Sequence, residues 1–314
     1  MQHLLTLDEM SAGEMKQLFA HAQTLKDGRT TPNAFPPLAG RTIALLFEKP
    51  SLRTRISFEV AARELGGTSL YLSPQEVGLG KREAVGDVAR VLSSYVHAIV
   101  LRTFSHTLME EFANHASVPV INGLTDSHHP CQGLTDVFTI QEEFSAPAGL
   151  TLAYIGDGNN VAHSLLQAAI KAGLHVRIAT PHGYEPNAEV IAAAQQEARL
   201  TGGSLTLTAD PEAAATGAHV LYTDVWTSMG QEAESAQRRA IFSAYQVTQQ
   251  LLSLASLQAI VLHPLPAHRG EEITDDVLDG AQSRVLVQAE NRLHVQKAIL
   301  CALLASKTLE AVSA

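Results

Sequence analysis

Disulfide chemistry is the first thing this sequence excludes. Cys131 and Cys301 are its only cysteines among 314 residues, too few for a disulfide framework and in keeping with a reducing cytosol. Positive charge is also scarce: 22 Lys and Arg stand against 32 Asp and Glu, a net charge of −10. A chain of that sign is a poor partner for nucleic acid or an anionic membrane. A phosphorylated ligand must then be gripped by a local cluster of cations, because the global field repels it. No apolar run is long enough to span a bilayer. The start, Met1-Gln2-His3-Leu4-Leu5-Thr6-Leu7-Asp8, has neither the basic nor the apolar region of a signal peptide, so the expected location is the cytoplasm. Internal repeats and low-complexity segments are missing too. What remains is 46% hydrophobic and 17% charged, the balance of a globular chain with the length for two ordinary domains.

One stretch stands out, Phe47-Glu48-Lys49-Pro50-Ser51-Leu52-Arg53-Thr54-Arg55. The apolar run from Thr42 to Leu46 before it reads as a buried strand. Residues Ile56 to Leu65 after it read as a helix stopped by Gly66-Gly67. Ser51 sits where an N-cap belongs. The loop therefore ends at a helix N-terminus, where free N–H groups and the positive dipole end suit an anion. Arg53 and Arg55 add two cations there and Thr54 a hydroxyl, and a planar guanidinium grips phosphate through paired hydrogen bonds. A capped helix with solvated arginines is the plain alternative.

The remaining first half alternates helix and strand. A helix is expected from about Leu5 to Leu25, capped by Asp8 or Ser11, and a strand at Thr68 to Leu72. Residues 73–83 form a glycine-rich polar loop of the kind that carries function. A helix from about Ala84 to Tyr95 precedes a strand, His97 to Leu101, that delivers Arg102 at its end. The carboxyl ends of parallel strands are where open α/β sheets bind ligands. Another strand, Val118 to Ile121, leads to Asn122-Gly123 and then to Asp126-Ser127-His128-His129-Pro130-Cys131-Gln132. Pro130 fits the first turn of a helix reaching about Glu143. His129 and Gln132 are three apart and can face one crevice, where an imidazole and a carboxamide can polarise a carbonyl. A metal site from His128, His129 and Cys131 is disfavoured, because adjacent residues point different ways and no second ligand pair follows. No metal is expected.

Residues 145–149, Ser-Ala-Pro-Ala-Gly, read as a boundary loop after which the alternation restarts as a second α/β unit. The strand Leu150 to Ile155 runs into Gly156-Asp157-Gly158-Asn159-Asn160-Val161. This fails the dinucleotide fingerprint, because Val161 holds the third glycine position and the strand Val176 to Thr180 carries no acid for a ribose. No cofactor is called for. The turn instead presents amides at a helix start, and Asn160 offers donor and acceptor together to an α-amino acid head. Further strands are expected at Ser204 to Thr208, His219 to Tyr222 and Ala259 to Leu262. Helices are expected near Ala188 to Leu200, Pro211 to Ala215 and Arg238 to Gln249. Asp224 follows a strand and can pair with an ammonium group. Trp226, the only tryptophan, reads as core. In His263-Pro264-Leu265-Pro266 two prolines remove donors and leave carbonyl acceptors, which suits an amine. An amphipathic helix from about Asn291 to Leu304 ends the chain, with Arg292 in its first turn.

Ser51-Leu52-Arg53-Thr54-Arg55, His129-Pro130-Cys131-Gln132 and His263-Pro264-Leu265-Pro266, in that order, resemble the aspartate/ornithine carbamoyltransferase superfamily. The segment Asp224-Val225-Trp226-Thr227-Ser228-Met229-Gly230 resembles the ornithine-binding signature of that group, and the motifs together span nearly the whole chain. The resemblance implies an α/β fold of two doubly wound parallel-sheet domains joined by helices, with the C-terminal helix packing back on the N-terminal domain. It implies a carbamoyl-phosphate domain over 1–145 plus about 291–314, an ornithine domain over 146–290, and a homotrimer or a multiple of it. By position, Ser51, Leu52, Arg53, Thr54, Arg102, His129, Gln132 and Arg292 would hold carbamoyl phosphate, with Arg53, Arg102 and His129 catalytic. Asn160, Asp224, Ser228 and Met229 would hold ornithine, with the backbone carbonyls of Pro264 and Leu265 accepting from its side-chain amine. The chain departs from the pattern at Pro264, where ornithine enzymes usually carry a cysteine. It departs also at Gly78, where the group often has glutamine or histidine and where Lys81 or Arg82 could substitute, and at Leu52, which replaces a smaller polar residue.

The implied reaction is attack by ornithine's neutral side-chain amine on the carbamoyl carbon, giving citrulline and phosphate without a covalent enzyme intermediate. Arg53, Arg102 and His129 would stabilise charge on the carbonyl oxygen. Acceptors such as putrescine or acylated ornithine are the alternatives within the class, and Ser228-Met229-Gly230 argues against them. A non-catalytic two-domain binding protein would bind both ligands and release no phosphate.

Overall fold

Two parallel sheets, one in each of two units, organise the chain in the computed structural model, which describes residues 1–29, 36–228 and 230–304. One unit comprises the described residues of Met1–Leu134 and Asn291–Ala314, the other Thr135–Glu290.

The first unit runs α1 (Ala12–Asp27), β1 (Thr42–Phe47), α2 (Leu52–Glu64), β2 (Thr68–Leu72), α3 (Pro74–Val77), α4 (Val85–Tyr95), β3 (Ala98–Arg102), α5 (His106–His115) and β4 (Val120–Leu124), then enters α6 (Pro130–Phe144). Its strands lie in the order β2-β1-β3-β4, all parallel. The inner strands β1 and β3 are apolar almost throughout because both faces are covered, the usual state of a parallel sheet. Under one face Val85, Val88 and Ala89 of α4 and Met109 and Phe112 of α5 pack with Ile99 and Leu101.

Several expectations shift here. The first helix begins at Ala12, not near Leu5, because Ser11 and Glu14 form a reciprocal capping box. Leu4 instead makes a lone parallel bridge to Ile121. Strand β4 starts at Val120 and includes Asn122 and Gly123. The polar loop over 73–83 holds the short helix α3, and α5 was not foreseen at all.

The second unit contains β5 (Thr151–Ile155), α7 (Asn160–Lys171), β6 (His175–Ala179), α8 (Ala188–Thr201), β7 (Ser204–Thr208), α9 (Pro211–Ala215), β8 (Val220–Tyr222), α10 (Ser235–Phe242), α11 (Gln249–Leu252), β9 (Ile260–Leu262) and α12 (Asp275–Leu278). Its order is β7-β6-β5-β8-β9, all parallel. Both sheets are thus doubly wound, with strand order reversing between β1 and β3 in one and between β5 and β8 in the other. The single helix expected from Arg238 to Gln249 is two helices, α10 and α11, separated by a 3₁₀ turn and Gln246 to Thr248. The last helix, α13 (Val285–Leu304), starts earlier than Asn291. Its part from Asn291 onward belongs to the first unit, where Lys297 Nζ donates to Glu64 Oε2 (2.9 Å) and to the Leu25 carbonyl (3.2 Å).

Candidate active site

The switch point of the first sheet carries the cationic residues. Phe47 at the end of β1 is in register with Arg102 at the end of β3, so the Ser51 loop and Arg102 leave adjacent strands side by side. Ser51 caps α2, accepting from the Thr54 N–H at 3.3 Å. Thr54 is buried, and its hydroxyl accepts from Arg292 Nη2 at 2.6 Å. Arg102 is only 6% exposed. One nitrogen of its guanidinium, Nη1, makes a long contact to the Gly123 carbonyl (3.5 Å), while Nε is buried without a hydrogen-bond partner.

The electrostatics mark this cluster. Burial, then the charges of Arg292 and Arg53, push the Arg102 guanidinium down to about 9. Arg53 is lowered by desolvation as well. His129 lies buried beside them, and burial followed by Arg292 and Arg102 holds its pKa well below the ordinary imidazole value. It is therefore neutral near pH 7, a hydrogen-bond donor and not a cation. Like charges gathered out of water are costly, and a bound dianion reverses the sign of that cost.

Around this cluster the strand ends are stapled together. Buried Lys49 pairs with Asp126 and lies 4.2 Å from the centre of the Phe104 ring. Thr103 Oγ1 donates to Glu48, and the Glu48 N–H donates to the Arg102 carbonyl at 2.8 Å. This clamp was not legible in the sequence, although Glu48 and Lys49 lie inside the stretch that stands out there.

Not every residue of that loop joins the cluster. Arg55 is turned away, held by Glu59 at 2.8 Å and lying 3.8 Å from the centre of the Tyr71 ring. The expectation that it adds a second cation beside Arg53 is therefore corrected. Leu52 is 73% exposed at the start of α2. Gln132 is buried in the first turn of α6, its N–H donating to the His129 carbonyl at 2.9 Å. Arg82 Nη1 donates to the Glu76 carbonyl at 3.2 Å.

In the second unit the acid and amide groups lie at the other switch point. Asn159, not Asn160, is the N-cap of α7, accepting from Val161 and Ala162 N–H at 2.9 and 3.1 Å. Its Nδ2 donates to Asp224 Oδ2 at 2.8 Å. Asn160 is the first residue of the helix and is buried. Asp224 is buried too, and desolvation raises its carboxyl above the usual range. Ser228 donates its N–H to Gln231 Oε1 at 3.0 Å. Met229 lies outside the described residues.

The Pro264-Leu265 loop rests on a buried pair. His263 Nδ1 accepts from the Leu265 N–H at 2.9 Å, so Nε2 carries the proton directed at Glu272 Oε1, 3.0 Å away. The same oxygen accepts from the His268 N–H at 2.6 Å. Leu265 is held at φ +54°, a conformation unusual outside glycine. His263 opens the motif and was legible as part of it; the pairing with Glu272 needed the fold.

Among the described residues no group of metal-ligating side chains is present, and no helix is long and apolar enough to cross a membrane.

Two family models match the chain. Residues 2–142 match the carbamoyl-P binding domain of aspartate/ornithine carbamoyltransferases, and residues 148–303 match their Asp/Orn binding domain. An ornithine carbamoyltransferase of Anoxybacillus flavithermus is 50% identical over 96% of each chain, and one of Gloeobacter violaceus is 50% identical over 97% of this chain and 96% of the relative. Among solved structures, ornithine carbamoyltransferase from Pyrococcus furiosus superposes with a TM-score of 0.94 at 49% identity, covering 96% of this chain and 97% of that one.

Proposed function

This chain belongs to the aspartate/ornithine carbamoyltransferase family, and from that premise we propose that it transfers the carbamoyl group of carbamoyl phosphate to the side-chain amine of L-ornithine, giving L-citrulline and phosphate. The single observation that carries the reading is the convergence of Arg53, Arg102 and Arg292 at the end of β3, with neutral His129 beside them. Carbamoyl phosphate is a dianion with a carbonyl, and such a cluster answers both features. Ser51, Arg53, Thr54, Arg292 and the backbone at Leu52 take the phosphate at the helix start. Arg102, His129 and Gln132 address the carbamoyl group.

In the second unit Asn160, Asp224, Ser228 and Met229 take the α-amino acid head, and the carbonyls of Pro264 and Leu265 accept from the side-chain amine. Asp224, pinned by Asn159, is the acid that pairs with ammonium. The free amine attacks the carbamoyl carbon, and the carbonyl π pair moves to oxygen, where Arg53, Arg102 and the His129 N–H stabilise it. Removing one such donor commonly costs about 3 kcal/mol of barrier. Collapse breaks the bond to the bridging phosphate oxygen, which leaves with its electron pair, and the phosphate takes the proton the amine gives up. No cofactor or metal enters.

The chain acts as a homotrimer or a multiple of it in this reading. Leu52 and Ile56 on α2 and Leu70 on edge strand β2 are exposed apolar residues on elements that pack together, a surface suited to a second copy of the chain. The buried thiols of Cys131 and Cys301, neither in a disulfide, fit a cytoplasmic location. A citrulline assay offering ornithine, putrescine, acetylornithine and aspartate in turn tests the activity. Carbamoylation of ornithine alone is expected, and equal or better use of another acceptor counts against it.

A further inference from the structure

Arg238 belongs to none of the motifs above, yet it is among the most buried charged side chains of the second unit, at 6% exposure on α10. Its Nη1 donates to Asp157 Oδ2 at 3.0 Å and to the Trp226 carbonyl at 2.9 Å. Nε reaches Glu234, the residue directly before that helix, at 3.2 Å. The guanidinium also lies 5.0 Å from the Tyr184 ring and 5.9 Å from the Phe242 ring.

The two acceptors sit on different segments. Asp157 is in the turn between β5 and α7, just before Asn160, and Trp226 follows β8, between Asp224 and Ser228. One nitrogen thus bridges the two loops that leave the sheet at its switch point. We propose that Arg238 is a positioning residue for the amino acid, fixing the spacing between Asn160, where the first loop enters α7, and Ser228 on the other loop. The inference rests on the reading of this unit as the ornithine side of the reaction.

The rest of the turn is already tied down, which leaves Arg238 the strut for the far side. Tyr154 OH donates to the Asp157 carbonyl at 2.7 Å. The Gly158 N–H donates to the Tyr184 carbonyl at 2.9 Å, and a Cβ on Gly158 would fall 2.3 Å from Pro186 N. Asn159 links the same turn to Asp224. The Trp226 segment has its ring stacked on Phe242, centroids 6.0 Å apart.

Energetics point the same way. Burial raises the Asp157 carboxyl to about 6 although Arg238 pulls it down, and Asp224 and Glu234 add to the rise. Burying the Asp157 carboxylate is therefore disfavoured even with Arg238 beside it. Buried pairs of this sort can often be replaced by apolar groups without loss of stability, so the role sought is geometric.

The test compares Michaelis constants for both substrates in wild type, Arg238→Lys, Arg238→Met and the double variant Asp157→Asn/Arg238→Met. The double variant removes both charges, so neither is stranded if Arg238→Met alone fails to fold. In the folded variants lacking the arginine, KM for ornithine is expected to rise about tenfold or more while KM for carbamoyl phosphate stays within about twofold. Lysine, which can satisfy one acceptor but lacks the fork, should fall between. An ornithine KM within about twofold of wild type in a folded variant overturns the inference, as does a parallel rise in both constants with a lowered melting temperature. A wild type that makes no citrulline sinks the carbamoyl-transfer reading itself, before any variant is compared.

Discussion

Arg292 Nη2 donates to the Thr54 hydroxyl at 2.6 Å, joining the last helix of the chain to the first turn of α2. The hydroxyl oxygen is occupied as an acceptor, so its own proton is free to point elsewhere. Thr54 thus orients Arg292 and can itself donate to a phosphate oxygen. The contact spans most of the sequence, and it explains why the final helix belongs to the first unit and not to the one that precedes it.

Thr54→Val keeps the shape of the side chain and removes both roles. A hydrogen bond to a charged group is worth roughly 1.5–3 kcal/mol, so KM for carbamoyl phosphate is expected to rise by about tenfold or more, with ornithine saturation little changed. An unchanged carbamoyl phosphate KM would count against the placement of phosphate at this helix start.

Arg102 should show opposite effects on activity and stability. Its folded value of about 9 lies well below the ordinary guanidinium value, so the charged form is disfavoured by folding. That cost is fully present below pH 9 and is relieved as pH climbs above 9 toward the ordinary guanidinium value. Arg102→Met is accordingly expected to melt no lower than wild type at pH 7 while losing about a thousandfold in kcat. Inorganic phosphate should raise the melting temperature of wild type and raise that of the variant less. A variant as active as wild type, or one stabilised equally by phosphate, contradicts the role.

Thiol reagents separate this chain from a cysteine-dependent mechanism. By the resemblance, Pro264 stands where ornithine enzymes usually carry a cysteine. The two thiols present are buried, and desolvation pushes Cys131 to about 12 and Cys301 to about 11. The thiolate is the reactive form, so incubation with iodoacetamide at pH 8 should leave citrulline formation intact. Rapid inactivation of the wild type would show that a thiol matters after all.

Both sheets were readable because their inner strands are short apolar runs such as Thr42 to Leu46 and Leu150 to Ile155, each ended by a polar turn. Parallel strands covered on both faces leave that signature, and the residues at their ends follow automatically. Arg102 and Asp224 were legible for this reason. Arg238 and Lys49 were not, since each pairs with a residue distant in sequence, and Glu272, nine residues from His263, sits in no periodic pattern. Arg55 misled because spacing places it beside Arg53, whereas Glu59, one helical turn on, captures it. The helix α5 was missed because its apolar residues, Met109, Phe112 and Ala113, are few and interrupted by polar ones.

Gly78 tests whether the family's larger side chain could be restored. Its backbone lies at φ +61°, where it ends α3 and its N–H donates to the Pro74 carbonyl at 2.9 Å. A Cβ there would meet Arg82 Cβ at 2.8 Å, and L residues pay roughly 1–2 kcal/mol for the left-handed conformation. Gly78→Gln therefore forces either strain or a rearranged loop over residues 78–83. The variant is expected to melt lower than wild type by a few degrees and to bind carbamoyl phosphate no better. Tighter carbamoyl phosphate binding without loss of stability would mean that this loop adapts freely, and that glycine here is a substitution the backbone did not require.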